Sequence, residues 1–501
     1  MYSIGINIGT TNVKTVVIDK SGDIIANATR KNHTFFYPNN EIEQDPGQWW
    51  NNVLDNLKSI GSRDNSILKK VEVIGVCSQG CGVVPVDKYG NILNNAVIYS
   101  DNRAFLEANI INKKFRYKIR ENCFCNTTEA GNPFSIILWF KLNRNEIYNK
   151  TYKFLSVSGY INYKLTGMFT INHSEAGMSN LFDNNNKKWD KNILSEIEID
   201  INKLPSVKEC DEIIGNIRED ISNITGLNPY SRIIAGGEDT SADALCLGTE
   251  NSKKCYYFMG TSSNFGICVS KNDIKIIDNT IIIPHVLREL YLINSTTLST
   301  GSSFEWFINK FFINKSEQIA FFSKNEKEIN ERISYLIFQP YLSEFTSSFD
   351  SKNTPGGIIF GLNLKKDIID LVKMIYEGCS YALMENIKNY EANGLKIGDI
   401  FIMGGPTINI PWCQTISDIS GRKVIINNSV CSAFGIALLA GSRIGFEMES
   451  IIKHMRIYEK ELYPREEYCN KYKKIYGIYE KLNKSNGFLY SKLRRVYDSS
   501  I

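Results

Sequence analysis

Residues 3–14 read Ser-Ile-Gly-Ile-Asn-Ile-Gly-Thr-Thr-Asn-Val-Lys, and residues 256–267 read Tyr-Tyr-Phe-Met-Gly-Thr-Ser-Ser-Asn-Phe-Gly-Ile. Each takes an apolar, β-prone run into Gly-Thr-Thr/Ser and out into a second run, the pattern of a tight hairpin. A turn of that composition presents backbone N–H groups and hydroxyls with no side-chain bulk in the way, which suits the oxygens of a phosphate. One copy alone reads as an ordinary turn. Two copies, each near the start of a half of the 501-residue chain, predict a duplicated fold whose lobes share one nucleotide.

Length and composition agree with a large enzyme. A chain of 501 residues exceeds what one core supports, so two domains plus extensions are expected. The hydrophobic share of 43% and charged share of 22% are globular values. The 58 basic and 54 acidic residues leave a formal charge of +4, without a polycationic stripe, which argues against a nucleic-acid partner. The first residues read as a strand rather than a targeting segment, and no apolar run reaches membrane-spanning length, so no membrane partner and a cytoplasmic location are expected. The 12 cysteines include no Cys-x-x-Cys; Cys123 and Cys125 are the closest pair, and reduced thiols are expected rather than zinc or disulfides. His33, His173, His285 and His454 lack ligand or triad spacing, which disfavours histidine chemistry.

Along the chain, strands and helices alternate. Residues 2–8, 13–19 and 23–30 form a predicted meander turned by Gly9-Thr10-Thr11 and Ser21-Gly22. A helix over 47–61 follows the cap Asp45-Pro46, then a strand over 71–76 and a helix over 101–115. Asn132-Pro133 opens another helix, whose Phe134, Ile137, Leu138 and Leu142 are assigned to the core. Strand 233–235 runs into Gly236-Gly237-Glu238-Asp239 and a helix over 241–247. The second half adds a helix over 367–392, a strand over 399–403 ending in Gly404-Gly405, and a helix over 431–442 with small residues Ala433, Gly435, Ala437 and Ala440. The expected domains are 1–248, 249–455 and a helical extension over 456–501.

Neither a Gly-x-x-x-x-Gly-Lys-Ser/Thr loop nor the His-Arg-Asp and Asp-Phe-Gly pair of protein kinases occurs. Phosphoryl transfer still needs a group to take the acceptor's proton and something to hold Mg²⁺. Asp239 is the leading candidate, because it follows a strand and two glycines where a side chain can enter a cleft. An Asp at a helix start is also a common N-cap, and position alone leaves the two roles evenly matched.

The segments 5–14, 74–82, 96–104, 163–167, 236–239, 259–263, 355–362, 404–407 with Trp412-Cys413-Gln414, and 433–438 occur in one order along the chain. In them the sequence resembles the FGGY carbohydrate kinases of the sugar kinase/actin superfamily over essentially its whole length. Ser-Gln-Gly-Cys-Gly (78–82), Ser-Asp-Asn-Arg-Ala (100–104), Gly-Asn-Pro-Phe-Ser (131–135), Ala-Leu-Cys (244–246) and Phe-Glu-Trp-Phe (304–307) are most similar to its xylulokinase branch, particularly the L-xylulose kinases. The resemblance implies an α/β fold of two actin-like (ribonuclease H-like) ATPase domains, each a mixed five-stranded sheet flanked by helices. It implies ATP-dependent phosphorylation of a small sugar, a ketopentose such as xylulose, with ATP and Mg²⁺ as cofactors. It leaves room for a homodimer.

By the same resemblance Asp239 is the general base, Thr10 and Thr11 form the first phosphate hairpin, and Gly260, Thr261 and Ser262 form the second. Gly404, Gly405, Thr407 and Asn409 line the adenosine, and Gln79, Gly80, Asp101 and Asp239 contact the sugar. Asn7, with Asp239 acting through water, falls at the metal. Three departures stand out. Asn7 replaces the family's usual Asp and removes a charge that would hold Mg²⁺ waters. Cys81 stands where His or Met is common, and the usual Leu-x-Gly-Glu-Arg-x-Pro is Leu-Ser-Glu-Phe-Thr-Ser-Ser at 342–348. Two alternatives follow from these: a catalytically weakened sugar- or nucleotide-binding member of the fold, or a kinase for another sugar or polyol. An actin- or chaperone-like ATPase without an acceptor is a third, against which residues 74–104 argue.

Overall fold

A computed structural model describes residues 1–248, 254–297, 299–342, 356–427, 431–456 and 460–498. The chain forms two compact units. The first contains Met1–Glu250, Cys268–Ile293 and Ser429–Ile457; the second contains Asn251–Ile267, Asn294–Asn428 and Tyr458–Ile501. Where the sequence suggests 1–248, 249–455 and an extension over 456–501, compactness groups Cys268–Ile293 and Ser429–Ile457 with the first unit and Tyr458–Ile501 with the second. Residue 249 itself, Pro355, and 343–348 of the altered 342–348 stretch lie outside the described residues.

The first unit opens on the predicted meander: β1 (Tyr2–Ile8), β2 (Asn12–Asp19) and β3 (Ile24–Lys31) are antiparallel neighbours. Strand β4 (Glu41–Gln44) leads into α1 (Pro46–Arg63), capped by Asp45, whose carboxylate accepts from the Gly47 N–H. Strand β5 (Val71–Ser78) then pairs parallel with β1. After helices α2 (Phe105–Asn122), α3 (Pro133–Asn143), α4 (Val157–Thr166) and α5 (His173–Gly177) come β6 (Ile213–Asn216), β7 (Arg232–Ile234), β8 (Gly237–Glu238) and α6 (Asp239–Cys246). The sheet order is β6-β7-β5-β1-β2-β3, with β8 also pairing with β5.

A second sheet begins with the other predicted hairpin, β9 (Lys254–Met259) and β10 (Ser263–Ser270), followed by β11 (Ile281–Pro284) and β12 (Leu290–Thr297). Helices α7 (Thr300–Phe311) and α8 (Ile368–Ala392) precede β13 (Asp399–Met403), α9 (Ile410–Ser420) and β14 (Val424–Ile426). Helix α10 (Ser432–Ser442), strand β15 (Lys460–Leu462) and helix α11 (Glu466–Asp498) close the chain. The order is β11-β12-β10-β9-β13-β14-β15. Each sheet therefore has seven strands where five were expected, because elements such as the two-residue β8 are too short for a period-2 pattern to mark.

The small residues of α10 are explained by close approach within the first unit. A Cβ on Gly5 of β1 would lie 1.8 Å from the Ala433 carbonyl oxygen, and one on Gly435 would lie 2.0 Å from that of Ala242 in α6. Two expectations need correction. Leu142 is exposed rather than core, because α3 buries Phe134, Ile136, Ile137, Leu138 and Phe140 and leaves its last turn outside. Helix α2 starts at Phe105 rather than at 101, since the Asp101 carboxylate accepts from the Arg103 N–H and bends the chain there.

Candidate active site

Within the first unit, β1, β5 and β8 run parallel and adjacent, in the registers Asn7↔Cys77, Gly237↔Cys77 and Glu238↔Ser78. Their carboxyl ends therefore deliver Gly9-Thr10-Thr11, Gln79-Gly80-Cys81 and Asp239 to one edge of the sheet. Open α/β sheets bind ligands at such edges. The first turn is closed by Gly9 N–H on the Asn12 carbonyl at 3.0 Å. Thr10 donates to Gln79 Oε1 at 2.9 Å, and Gln79 Nε2 donates to Gln44 Oε1 at 2.8 Å. Gln44 in turn donates to the Thr10 carbonyl at 2.7 Å, so a ring of side-chain amides ties the hairpin to the Gln79 loop. Thr11 is exposed at the tip, and Asn32 N–H donates to its carbonyl.

Helix α6 is capped by Glu238, whose Oε2 accepts from the Ser241 N–H at 2.9 Å. Asp239 is thus relieved of the capping role and is half-buried one position further on. Gly80 sits close to Glu238: a Cβ there would meet Met178 Cε at 3.0 Å and Glu238 Cγ at 3.5 Å. Burial pushes the carboxyls of both Glu238 and Asp239 up, and the Asp239 charge lifts Glu238 further while a hydrogen bond from Glu238 works to lower Asp239. The two carboxyls are adjacent and each raises the cost of ionising the pair.

Asn7 is held by its amide: Nδ2 donates to Ser432 Oγ at 2.8 Å, and the Cys77 thiol approaches Oδ1 at 3.6 Å. Asp101 is tied into the fold. It is fully buried, accepts from the Ile42 N–H at 2.5 Å, and pairs with Arg103 at 2.9 Å, which also pairs with Glu43 at 2.9 Å. It braces β4, the strand that presents Gln44.

In the second unit, β9 pairs antiparallel with β10 and parallel with β13. The turn Gly260-Thr261-Ser262 is closed by Gly260 N–H on the Ser262 carbonyl at 2.9 Å. The first turn of α7 braces it, with Gly301 and Ser302 N–H groups donating to the Gly260 and Thr261 carbonyls at 3.0 and 3.1 Å. Gly404, at the end of β13, has φ +114° and comes so close to β9 that a Cβ would lie 2.0 Å from the Met259 carbonyl oxygen. Gly404 and Gly405 are exposed, while Thr407 is buried and donates to the Gly404 carbonyl at 2.6 Å. Asn409 N–H donates to the Pro406 carbonyl. This unit therefore gathers the second hairpin and the 404–409 segment into one exposed strip of backbone.

Sequence reasoning missed three side chains at the first edge. Gln44 gave no local signal. Asp243 lies one turn beyond Asp239 on α6 and accepts from the Ser432 N–H; burial and the Asp239 charge push its carboxyl well up, while Lys14 opposes this. Its i, i+4 spacing from Asp239 could have found it. Glu175, buried behind the Gln79 loop, gave no local signal either.

An α/β protein of two units, with paired Gly-Thr hairpins and a carboxylate at a sheet edge, is built like an actin-fold phosphotransferase. The solved xylulose kinase of Rhodospirillum rubrum superposes with a TM-score of 0.86 at 19% identity, over 97% of this chain and 99% of that one. The glycerol kinase of Plasmodium falciparum solved with ADP gives 0.83 at 19% identity, over 96% and 97%. The family profiles described as the FGGY family of carbohydrate kinases, N-terminal and C-terminal domains, match residues 2–246 and 255–443. The chain belongs to that family and is a carbohydrate kinase, transferring a phosphoryl group from ATP to a sugar. Among its relatives, it is 26% identical to the xylulose kinase of Staphylococcus xylosus, over 96% of this chain and 99% of that protein. It is 24% identical to the probable L-xylulose kinase of Haemophilus influenzae, over 96% and 98%. Among the described residues, no helix is long and apolar enough to cross a membrane.

Proposed function

We propose that the acceptor is a ketopentose such as xylulose and that Asp239 is the general base. The observation that carries the proposal is the convergence of Gln79, Gly80 and Asp239 at the carboxyl ends of adjacent parallel strands, with Asp239 freed from capping by Glu238. The names of the relatives, xylulose and L-xylulose kinases, favour the pentulose. In this account Gln79 and Gly80 receive the sugar, and Asp239 takes the proton of the hydroxyl that attacks the γ-phosphoryl group. Thr10 and Thr11 on one unit, and Gly260, Thr261 and Ser262 on the other, offer N–H and hydroxyl donors to phosphate oxygens. The strip Gly404, Gly405, Thr407 and Asn409 offers adenosine a surface without side-chain bulk.

Mg²⁺ fits the donors of the first unit in kind. The Asn7 amide oxygen and the carboxylates of Asp239 and Asp243 are hard oxygens, and Mg²⁺ is commonly bound by one or two carboxylates plus phosphates and water. Among the described residues, no group of three or more His, Cys, Asp or Glu side chains forms a metal cage, which agrees with a metal carried by the nucleotide. When bound, the metal neutralises phosphate charge.

The test is ADP release from ATP across a panel of ketoses, aldoses and polyols. Sugar-dependent release with a ketopentose is expected, and release with only a polyol or an aldose would replace the acceptor. A second account, a weakened binding protein, is motivated by Asn7 and by the altered 342–348 stretch. It predicts calorimetric sugar or nucleotide binding without sugar-dependent ADP release at any Mg²⁺ concentration.

A further inference from the structure

Behind the Gln79 loop lies a carboxylate with no part in the proposed chemistry. Glu175 is 4% exposed, yet its carboxylate accepts four hydrogen bonds: from Ser78 Oγ, Ser156 Oγ and Ser158 Oγ at 2.6 Å each, and from Asn172 Nδ2 at 2.7 Å. Burial pushes this carboxyl up, and the four hydrogen bonds oppose that shift. They also join three elements at one point: the carboxyl end of β5 through Ser78, the first turn of α4 through Ser156 and Ser158, and the cap of α5 through Asn172.

Ser78 is where the two halves of the acceptor edge meet. It precedes Gln79 and Gly80 in sequence, and it pairs across the sheet with Glu238, which precedes Asp239. Its hydroxyl is further fixed by accepting the Ser158 N–H at 3.1 Å. Beyond it, Cys81 adopts φ +62°, a left-handed conformation that a non-glycine residue holds only where its surroundings impose it. Packing from behind is incomplete, because Cys81, Gly82, Ser156 and Glu175 all line a small cavity. A backbone in an uncommon conformation over incomplete packing needs directional bonds to hold it.

We propose that Glu175 is a positioning residue: through Ser78 it fixes the Gln79-Gly80-Cys81 loop, and thereby the sugar's seat relative to Asp239, without touching either. This rests on the acceptor edge assigned above. Glu175→Gln keeps size and polarity but loses acceptor capacity, and Ser78→Ala removes the bonds from β5 to Glu175 and to the Ser158 N–H. Ser156→Ala removes a link to α4 and leaves the link to β5 intact.

With the sugar found in the panel, Glu175→Gln and Ser78→Ala are expected to raise its KM about tenfold, with the KM for ATP unchanged. In hydrogen–deuterium exchange, peptides covering 77–83 should exchange faster in both variants, and Cys81 should alkylate faster. Ser156→Ala should lower the melting temperature without the KM split or the local rise in exchange. Equal exchange at 77–83 in wild type and Ser78→Ala, or KM values for sugar and ATP that rise together, would overturn the proposal. If Glu175→Gln does not fold, Ser78→Ala decides. If no sugar is phosphorylated by the wild type, the acceptor assignment falls, whereas loop exchange still decides whether Glu175 holds this backbone.

Discussion

The two hairpins occupy the same topological station and are built from different materials. In each unit a hairpin strand, β1 or β9, pairs parallel with a later strand, β5 or β13, whose carboxyl end supplies the neighbouring loop. In the first unit that loop is Gln79-Gly80, and side-chain amides lace it to Thr10. In the second it is Gly404-Gly405, and contact is made by backbone, with helix N–H groups of α7 holding the hairpin carbonyls. The first edge carries Glu238, Asp239 and Asp243, whereas the loop Gly404-Gly405-Pro406-Thr407 has no titratable side chain. One frame thus serves two tasks. Side chains that can move a proton and discriminate hydroxyls are concentrated in one copy, and bare backbone that can lie along a flat, polyanionic ligand in the other.

The strongest way to break this contrast is Asp239→Asn. Because Glu238 is the cap of α6, the substitution should leave the melting temperature within a degree or two and ATP binding intact by calorimetry. Turnover should fall by roughly 10²–10⁴-fold, the range for losing a general base. A variant retaining most of its activity would move the proton acceptor elsewhere and remove the chemical distinction between the edges.

The backbone side of the contrast is tested by two alanines one residue apart. Gly404→Ala places a Cβ 2.0 Å from the Met259 carbonyl oxygen at φ +114°, so it should destabilise the second unit by about 1–3 kcal/mol and raise the KM for ATP sharply. Gly405→Ala meets nothing within 4 Å, so stability should be unchanged, and a several-fold rise in the KM for ATP alone would report a ligand against the exposed backbone. An unchanged KM in Gly405→Ala would take adenosine off this strip.

Much of this frame was legible in the sequence because it rests on local rules. The meander, the Asp45-Pro46 helix start and the repeated Gly-Thr turns follow from strand alternation, capping and turn chemistry. The small residues of α10 announced close packing without saying against what. Asp101 shows what local reading leaves out: a helix cap before Asn102-Arg103 is its alternative to a sugar contact, and only the arrival of Ile42 from a distant strand shows that its carboxylate also braces β4. Gln44 and Glu175 were illegible for the same reason, since the bonds that tie them to the acceptor edge run to Thr10 and Gln79, 34 and 35 residues away, and to Ser78, 97 residues away. Asp243 could have been found from its spacing to Asp239, but nothing local says that Ser432 would cap it.

The units should also differ in how pH acts on them. His285 in the first is buried, and burial lowers its pKa from 6.5 to about 3. Between those values the unfolded state binds the extra proton, so stability is present above pH 6.5 and is lost as pH falls toward 3, at up to about 1.4 kcal/mol per pH unit. Lys373 in the second is buried against Thr415, with its pKa lowered from 10.5 to about 8. The same rule makes this unit gain stability as pH rises from 8 toward 10.5. His285→Gln should flatten the acid limb of the melting profile and leave the alkaline limb unchanged. If it left the acid limb intact, His285 would not be the group responsible.

The finest test concerns Asn7, an uncharged amide at an edge that otherwise carries carboxylates. Asn7 donates through Nδ2 to Ser432 Oγ, and an Asp could keep that bond by accepting from the same hydroxyl, so Asn7→Asp should fold normally. It would add a fourth carboxylate to an edge that already holds Glu238 and, as the candidate metal donors, Asp239 and Asp243. If those two suffice, as the donor set suggests, turnover at saturating Mg²⁺ should change less than about threefold, while the Mg²⁺ concentration for half-activity falls several-fold, roughly 1 kcal/mol. If instead Asn7 marks a weakened protein, the substitution should raise sugar-dependent ADP release from near zero. Asp243→Asn separates the two outcomes further: combined with Asn7→Asp it should return the metal requirement toward that of the wild type only if the carboxylate on α6 supplies the charge that Asn7 lacks.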